Sequence, residues 1–343
     1  MTKQTQINES ARISTAFRTK KEWRNFLLLF LSMSVIALLC TIGLLVYKNP
    51  VPMTSPSFFP IVRRRIVAVI AMILAALCQS TATLTFQSIT NNRVITPSLL
   101  GFDALYAACN TAVVFFFGTK TLIALDGLPA FCVQVILMVF LAAMLYGTLL
   151  RDSGRDMQFV LLIGIVIGTG LRSVASFMRR VLEPSEFDVL QAKLFGSVNN
   201  ADPSYFYAAI PLVVISVIML YAYAPKLNVL SLGKDVSTVL GLHHRFHLLV
   251  LLSLVSVLMA VSTALVGSLT FYGFLVVTLV YRLVPTYDHR YLYPMAIVLA
   301  FLIITAAYFC MYHIFHAQGV VTIIIELFGG VVFLAMILKK SAY

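Results

Sequence analysis

Leu227 to Leu242 reads L-N-V-L-S-L-G-K-D-V-S-T-V-L-G-L and lies between two strongly apolar runs, Tyr205–Ala224 and Leu248–Val266. It is too polar to sit in lipid itself. Leu232, Val236, Val239 and Leu240 fall at i, i+4, i+7 and i+8, which places them on one face of a short helix. Ser231 is the expected N-cap and Gly241 the expected residue beyond the C-cap. A helix of two or three turns between two membrane spans cannot bury such a face alone. It must dock on its own bundle, on the lipid surface or on another protein. From periodicity alone, a plain surface loop is an equal reading.

The rest of the chain is apolar enough to set the class. Hydrophobic residues make up 60% of the 343, charged residues 11%, and the mean hydropathy is +0.95. Those values exclude an ordinary soluble domain. The continuous apolar runs also exclude a transmembrane barrel, which would show short alternating segments. A span needs roughly 20 apolar residues, and ten can be placed, near 26–46, 66–86, 99–118, 129–150, 158–177, 205–224, 248–266, 268–284, 293–313 and 320–338. The eighth is the weakest, because Gly267 leaves almost no loop before it. The expected protein is an all-α polytopic membrane protein of about ten transmembrane helices. Residues 1–25 form a polar tail, and 26–343 form a single membrane domain with the segment 227–242 inside it.

A net charge of +12 could suggest nucleic acid, but the basic residues are scattered among loop ends. With both termini placed in the cytoplasm, 16 of the 25 Lys and Arg fall on that side, as the positive-inside rule favours. The N-terminus has a long polar stretch before a span-length apolar run, so it does not read as a cleavable signal. Cys40, Cys78, Cys109, Cys132 and Cys310 lie in or beside apolar runs without C-x-x-C spacing. They read as small buried hydrophobes, with no metal site expected.

Charged and polar residues at membrane depth are the next candidates. Asp103, Asn110, Gln134 and Arg172 lie within the third to fifth spans, and Glu326 lies well inside the last. Such groups are costly in lipid and must face the bundle or a pathway, unless they reach an interface. Glu183, Glu186 and Asp188 read as a solvated outer loop between spans. His243 and His247 stand at i, i+4, the spacing of two metal ligands on a helix. No third ligand accompanies them, and interface histidines are the plainer reading. Arg63, Arg64 and Arg65 fall at the outer mouth of the second span, where the charge rule disfavours them. They either snorkel to headgroups or dock an acidic partner.

Separate stretches along the chain, in the family's order, resemble the FecCD-type permeases of importers for ferric siderophores, haem and cobalamin. Ser231–Gly241 is similar to the family's A-L-G-x-x-x-A-x-x-L-G loop. Gln87, Asn92, Pro97, Leu100 and Gly101 match Q-x-x-x-R-N-P-L-A-x-P-x-x-L-G in register, with Asn91 and Arg93 replacing its arginine and proline. Arg65 matches the last residue of an R-x-P-R motif, in which Val62 and Arg64 are departures. Lys193–Ser197 resembles W-L-x-G-S-L. Gly267, Phe271, Gly273, Arg282, Asp288-His289-Arg290 and Pro294 match a later block, with Val277 and Thr278 replacing a Pro-His pair. Gly319–Thr322 and Gly329-Gly330 resemble the last span's G-V-V-T-x-x-x-G at a longer spacing.

The resemblance implies the type II ABC importer permease fold, with two permeases paired around a central path, in a bacterial plasma membrane. It implies that Leu232, Gly233, Lys234, Asp235, Val236, Ser237, Val239, Leu240 and Gly241 rest on a cytoplasmic ATPase. It also implies that Arg63–Arg65 meet an extracytoplasmic substrate-binding protein. Gln87, Asn92, Pro97, Gly101 and Glu326 are candidates for the translocation path or its gates. The wording of the 91–97 stretch resembles the branch for ferric catecholates or related siderophores. The only Gly-Lys pair, Gly233-Lys234, lacks the rest of a phosphate-binding loop. ATP and Mg are therefore expected on a separate subunit, with no cofactor and no catalytic residues on this chain. A rival reading is an ion-coupled secondary carrier using Glu326, Asp103 and Arg172 as a relay.

Overall fold

The computed structural model describes residues 16–17, 19–47, 58–124, 127–149, 157–313 and 321–341. The tail before Ala16, Arg151, Arg155, Gly319 and Val320 lie outside these residues. The helices follow the expected spans: α1 (Lys20–Val46), α2 (Phe58–Ile89), α3 (Phe102–Ala124, broken at Gly118), α4 (Leu128–Leu149), α5 (Met157–Val181), α7 (Phe206–Leu230), α9 (His244–Val266), α10 (Tyr272–Leu283), α11 (His289–His313) and α12 (Val321–Ser341). Two shorter helices, α6 (Pro184–Leu194) and α8 (Lys234–Val239), lie between them. Among the described residues, seven helices are long and apolar enough to cross a membrane, and α4, α10 and α12 contribute shorter apolar stretches.

α2 and α9 form the centre, packed on each other and ringed by α4, α7, α10 and α11. The residues from Gln79 to Thr90 are unusually polar for a buried span. Their hydroxyls turn back onto the preceding helical turn: Ser80 donates to the carbonyl of Ala76 at 2.6 Å, Thr81 to Leu77 at 2.6 Å and Ser88 to Leu84 at 2.8 Å. A helix whose hydroxyls are satisfied locally can be buried without stranding polar groups. Gln79 Nε2 bridges to Ser262 Oγ on α9 at 3.1 Å. Outside this centre, α1, α5 and α7 present rows of exposed apolar side chains, as lipid-facing helices do.

Three segments depart from the sequence expectation. α10 has 12 residues, about 18 Å of helix, against the roughly 30 Å of hydrocarbon. The eighth span is therefore a half-length helix, and the turn before it lies inside the bundle, with Leu269 and Tyr272 fully buried. α1 begins at Lys20, inside the segment read as tail. Thr19 caps it by accepting from the Glu22 amide, and Phe17 packs edge-on against Trp23 and Tyr291. The carboxylate-bearing segment read as a solvated loop contains α6. Pro184 at its first position and Glu186 in its first turn suit a helix start. Leu190 supplies the anchor, buried with Val114 and Leu122 of α3.

Candidate functional site

The segment 227–242 is one turn of α7, a tight corner and the short helix α8. α7 runs on through Pro225 to Leu230, so Ser231 closes α7 and does not cap α8. The N-cap of α8 is Gly233, at φ +99, a conformation that favours glycine. At the other end the expected glycine stop is present. Gly241 N donates to Thr238 O at 2.9 Å and Leu242 N to Ser237 O at 3.0 Å, the paired bonds of a Schellman cap. Leu227 and Leu230 are buried, and Ser237 turns inward with its Oγ 2.7 Å from His244 Nδ1. Leu232, Val236, Val239 and Leu240 all point away from the chain, with Val239 87% exposed. The apolar face predicted from the sequence exists, and its own bundle does not cover it. Lys234 and Asp235 flank it, exposed. His243 and His247 diverge, the first exposed and the second buried.

Beside this corner lies a buried polar cluster that sequence reading noted only as a D-H-R motif match. Asn228 Oδ1 accepts from the backbone N–H of His289 at 3.1 Å and faces its ring Nδ1 at 2.5 Å, while Nδ2 donates to Asp288 Oδ1 at 3.0 Å. The other ring nitrogen, Nε2, is 2.7 Å from Ser88 Oγ at the end of α2. Tyr281 of α10 reaches the same Ser88 hydroxyl at 3.4 Å and lies under the Arg93 guanidinium. A lone Asn in the last turn of an apolar helix was the available signal.

The Gln87–Gly101 stretch leaves α2 through a turn with Asn91 at φ 52, and Asn92 Oδ1 accepts from the Val94 amide at 2.9 Å. Pro97 then starts a 3-10 turn that ends at Gly101, φ +107. A Cβ on Gly101 would lie 2.9 Å from the Gly168 Cα of α5. Glycines therefore meet backbone to backbone here. Gln87 is 2% exposed, and neither amide atom has a hydrogen-bond partner among the described residues.

Glu326 converges with Asp103 on the turn before α10. Thr270 N donates to Glu326 Oε1 at 3.3 Å, and Thr270 Oγ1 donates to Asp103 Oδ2 at 3.0 Å. The two carboxylates thus hold one residue from opposite sides, joining α3 and α12 to the head of α10. Gly267, φ +88, closes the end of α9 against Gly196, and Ser197 N donates to Val266 O at 2.8 Å.

At the opposite end of the bundle from α8, the three arginines separate. Arg63 and Arg64 are exposed. Arg65 Nη1 donates to the carbonyls of Leu44 at 3.0 Å and Leu45 at 3.2 Å, at the C-terminus of α1. A cation there satisfies carbonyls that the helix leaves open. Docking of a partner was the expectation for all three; Arg65 is engaged within the chain.

The profile of the FecCD transport family matches residues 24–339, nearly the whole chain. This chain belongs to the FecCD transport family. It is 55% identical over 336 residues to the petrobactin import system permease protein FatC of Bacillus anthracis, covering 98% of this chain and 95% of that one. With YclO of Bacillus subtilis (strain 168), also a petrobactin import system permease protein, it shares 34% identity, covering 81% and 88%. The fold is that of a solved metal-chelate type ABC transporter in an inward-facing conformation, with a TM-score of 0.77 at 16% identity over 91% of this chain and 99% of that one. The ten-helix expectation thus meets a FecCD-type bundle, and the FecCD chain is a multi-pass membrane permease.

Proposed function

We propose that this chain is the membrane permease subunit of an ATP-driven importer that moves a ferric siderophore of the petrobactin kind into the cytoplasm. The observation that carries the reading is the outward apolar face of α8, held on a buried corner of a chain 55% identical to a petrobactin import permease. An uncovered face of four large apolar residues at one end of a membrane bundle fits a groove on a cytoplasmic ATPase. ATP and Mg belong to that subunit, and this chain has no catalytic role. α8 and both termini then lie in the cytoplasm of a bacterial plasma membrane, with the bilayer around the bundle. A second permease, a copy or a relative, completes the path, and an extracytoplasmic binding protein delivers the substrate to the opposite end.

In this reading, closure of the ATPase pair displaces α8, and the rigid helices carry the displacement to the buried junctions at Gln87–Gly101 and Thr270. Each ligand acts by favouring one of two arrangements. The test is co-purification of the ATPase with Leu232→Ala/Leu240→Ala permease, together with ATP-dependent uptake of iron-loaded petrobactin. Retention of the ATPase and full uptake would overturn the assignment. At the far end, Arg63→Glu is expected to weaken binding-protein association, most visibly at low salt where screening is slight. Affinity that does not change would make Arg63 a headgroup anchor.

The Asp103–Thr270–Glu326 junction favours one rival, an ion-coupled carrier. Uptake by the permease in vesicles without its ATPase, driven by a proton or sodium gradient, would establish it in place of the ATP-driven reading.

A further inference from the structure

We infer that Asn228, His289 and Ser88 form the latch through which displacement of α8 reaches the central helix α2, and that His289 is its positioning residue. The inference rests on the coupling role proposed for α8.

The geometry singles out this route. α8 has one inward side chain, Ser237, so it moves with the ends of α7 and α9. The last turn of α7 is fixed to the corner by Ser231, whose amide donates to Leu227 O at 2.9 Å and whose Oγ donates to Asn228 O at 2.9 Å. From that turn the Asn228 side chain reaches across to residues 60 and 61 positions later in the chain. It grips the non-helical link between α10 and α11 through Asp288, and the first residue of α11 through His289. His289 then reaches Ser88, 201 positions away. Ser88 follows Gln87, the buried amide without a partner among the described residues. One side-chain amide and one imidazole therefore connect the end of α7 to the link before α11, to α11 itself and to α2.

The hydrogen-bond roles are set by the partners. Asn228 Nδ2 must donate to the Asp288 carboxylate, so Oδ1 is its accepting end and faces two nitrogens of His289. Ring Nδ1 then carries the proton, and Nε2 faces the Ser88 hydroxyl, whose one proton serves either Nε2 or the Leu84 carbonyl. Buried networks of this kind hold helices in register and are costly to satisfy in part.

Asn and Gln at position 289 divide the ring's two contacts. His289→Asn can place an amide N–H near the Nδ1 position but falls short of Ser88. His289→Gln can reach Ser88 but leaves Asn228 Oδ1 without its side-chain donor. Tyr293→Phe is the control. It removes another bond between α11 and α2, that of Tyr293 Oη to Thr85 Oγ1 at 2.7 Å, and keeps the ring that packs beside α7.

The experiment uses the assembled transporter in liposomes with the binding protein loaded with ferric petrobactin. It measures how much that protein stimulates ATP hydrolysis, and uptake per ATP, each normalised to assembled complex. Both His289 variants and Asn228→Ala are expected to keep the ATPase bound and to lower stimulation about fivefold or more, the lower end of typical coupling between sites. Asn228→Ala/His289→Ala should lose no more than either single variant, as members of one unit do. Unchanged stimulation, or an equal fall in Tyr293→Phe, would overturn the latch. Leu232→Ala/Leu240→Ala in the same assay keeps the two proposals separate. Its retention of ATPase and coupling would overturn the role of α8, whereas ATPase release there with normal stimulation in the His289 variants would overturn the latch alone.

Discussion

α6 and α8 are both short amphipathic helices between long membrane helices, and they resolve the same problem in opposite ways. α6 has 11 residues and buries Leu190 completely against α3. α8 has six residues and turns a serine inward, leaving Val236 and Val239 outside together with the flanking Leu232 and Leu240. An apolar helix face thus does not by itself indicate a partner. It does so when the surrounding fold seats none of it: α6 leaves Phe187 and Val189 exposed but seats Leu190 on α3, whereas the face at α8 has no buried apolar side chain.

The two Leu-to-Ala tests should give a double dissociation. Leu232→Ala/Leu240→Ala removes side chains that would each contribute about 1.5–3 kcal/mol if buried in a partner. ATPase affinity should fall more than 100-fold, while the thermal unfolding of the detergent-solubilised permease stays unchanged. Leu190→Ala should do the reverse, lowering permease stability by about 2–5 kcal/mol through a core cavity and leaving ATPase affinity intact. Equal effects of both variants on both measurements would erase the distinction between the helices.

A smaller effect is expected where the chain after α6 meets the end of α9. Gly267→Ala puts a Cβ 2.8 Å from Gly196 Cα at a φ of +88, a strain of about 1–3 kcal/mol. It should appear as a lower unfolding temperature without release of the ATPase. Smallest of all is Glu326→Gln. The amide keeps an oxygen to accept from Thr270 N, so assembly and uptake should both stay near wild type. A large loss of uptake with normal assembly would show that the charge itself is used, and would move this junction from support to transport.

The registered motifs were legible along the chain because each depends on local spacing. Gly241 closes α8 with the cap its position suggested, and the residues at i, i+4, i+7 and i+8 do share an exposed face. Where sequence reading erred, it lacked neighbours. Ser231 looked like an N-cap because nothing in the sequence says that α7 continues through Pro225, as tertiary packing allows. At Arg65 sequence reading missed the open carbonyls of α1, which lie about 20 positions away. The 183–194 segment looked like a loop because its one decisive side chain, Leu190, needs α3 to explain it.

What the sequence alone determined is the helical membrane class, the approximate spans, the glycine stops and the place of the short amphipathic segment 227–242, all properties of hydropathy and short-range backbone preference. Only the tertiary structure decided which apolar face stays open, that α10 is a half-length helix, that Asp103 and Glu326 share Thr270, and that Asn228 reaches His289 and Ser88. The last two depend on groups 56 to 201 positions apart. No periodicity in a single chain records such a pairing, because it is set by how helices pack and by the need of buried polar groups for partners.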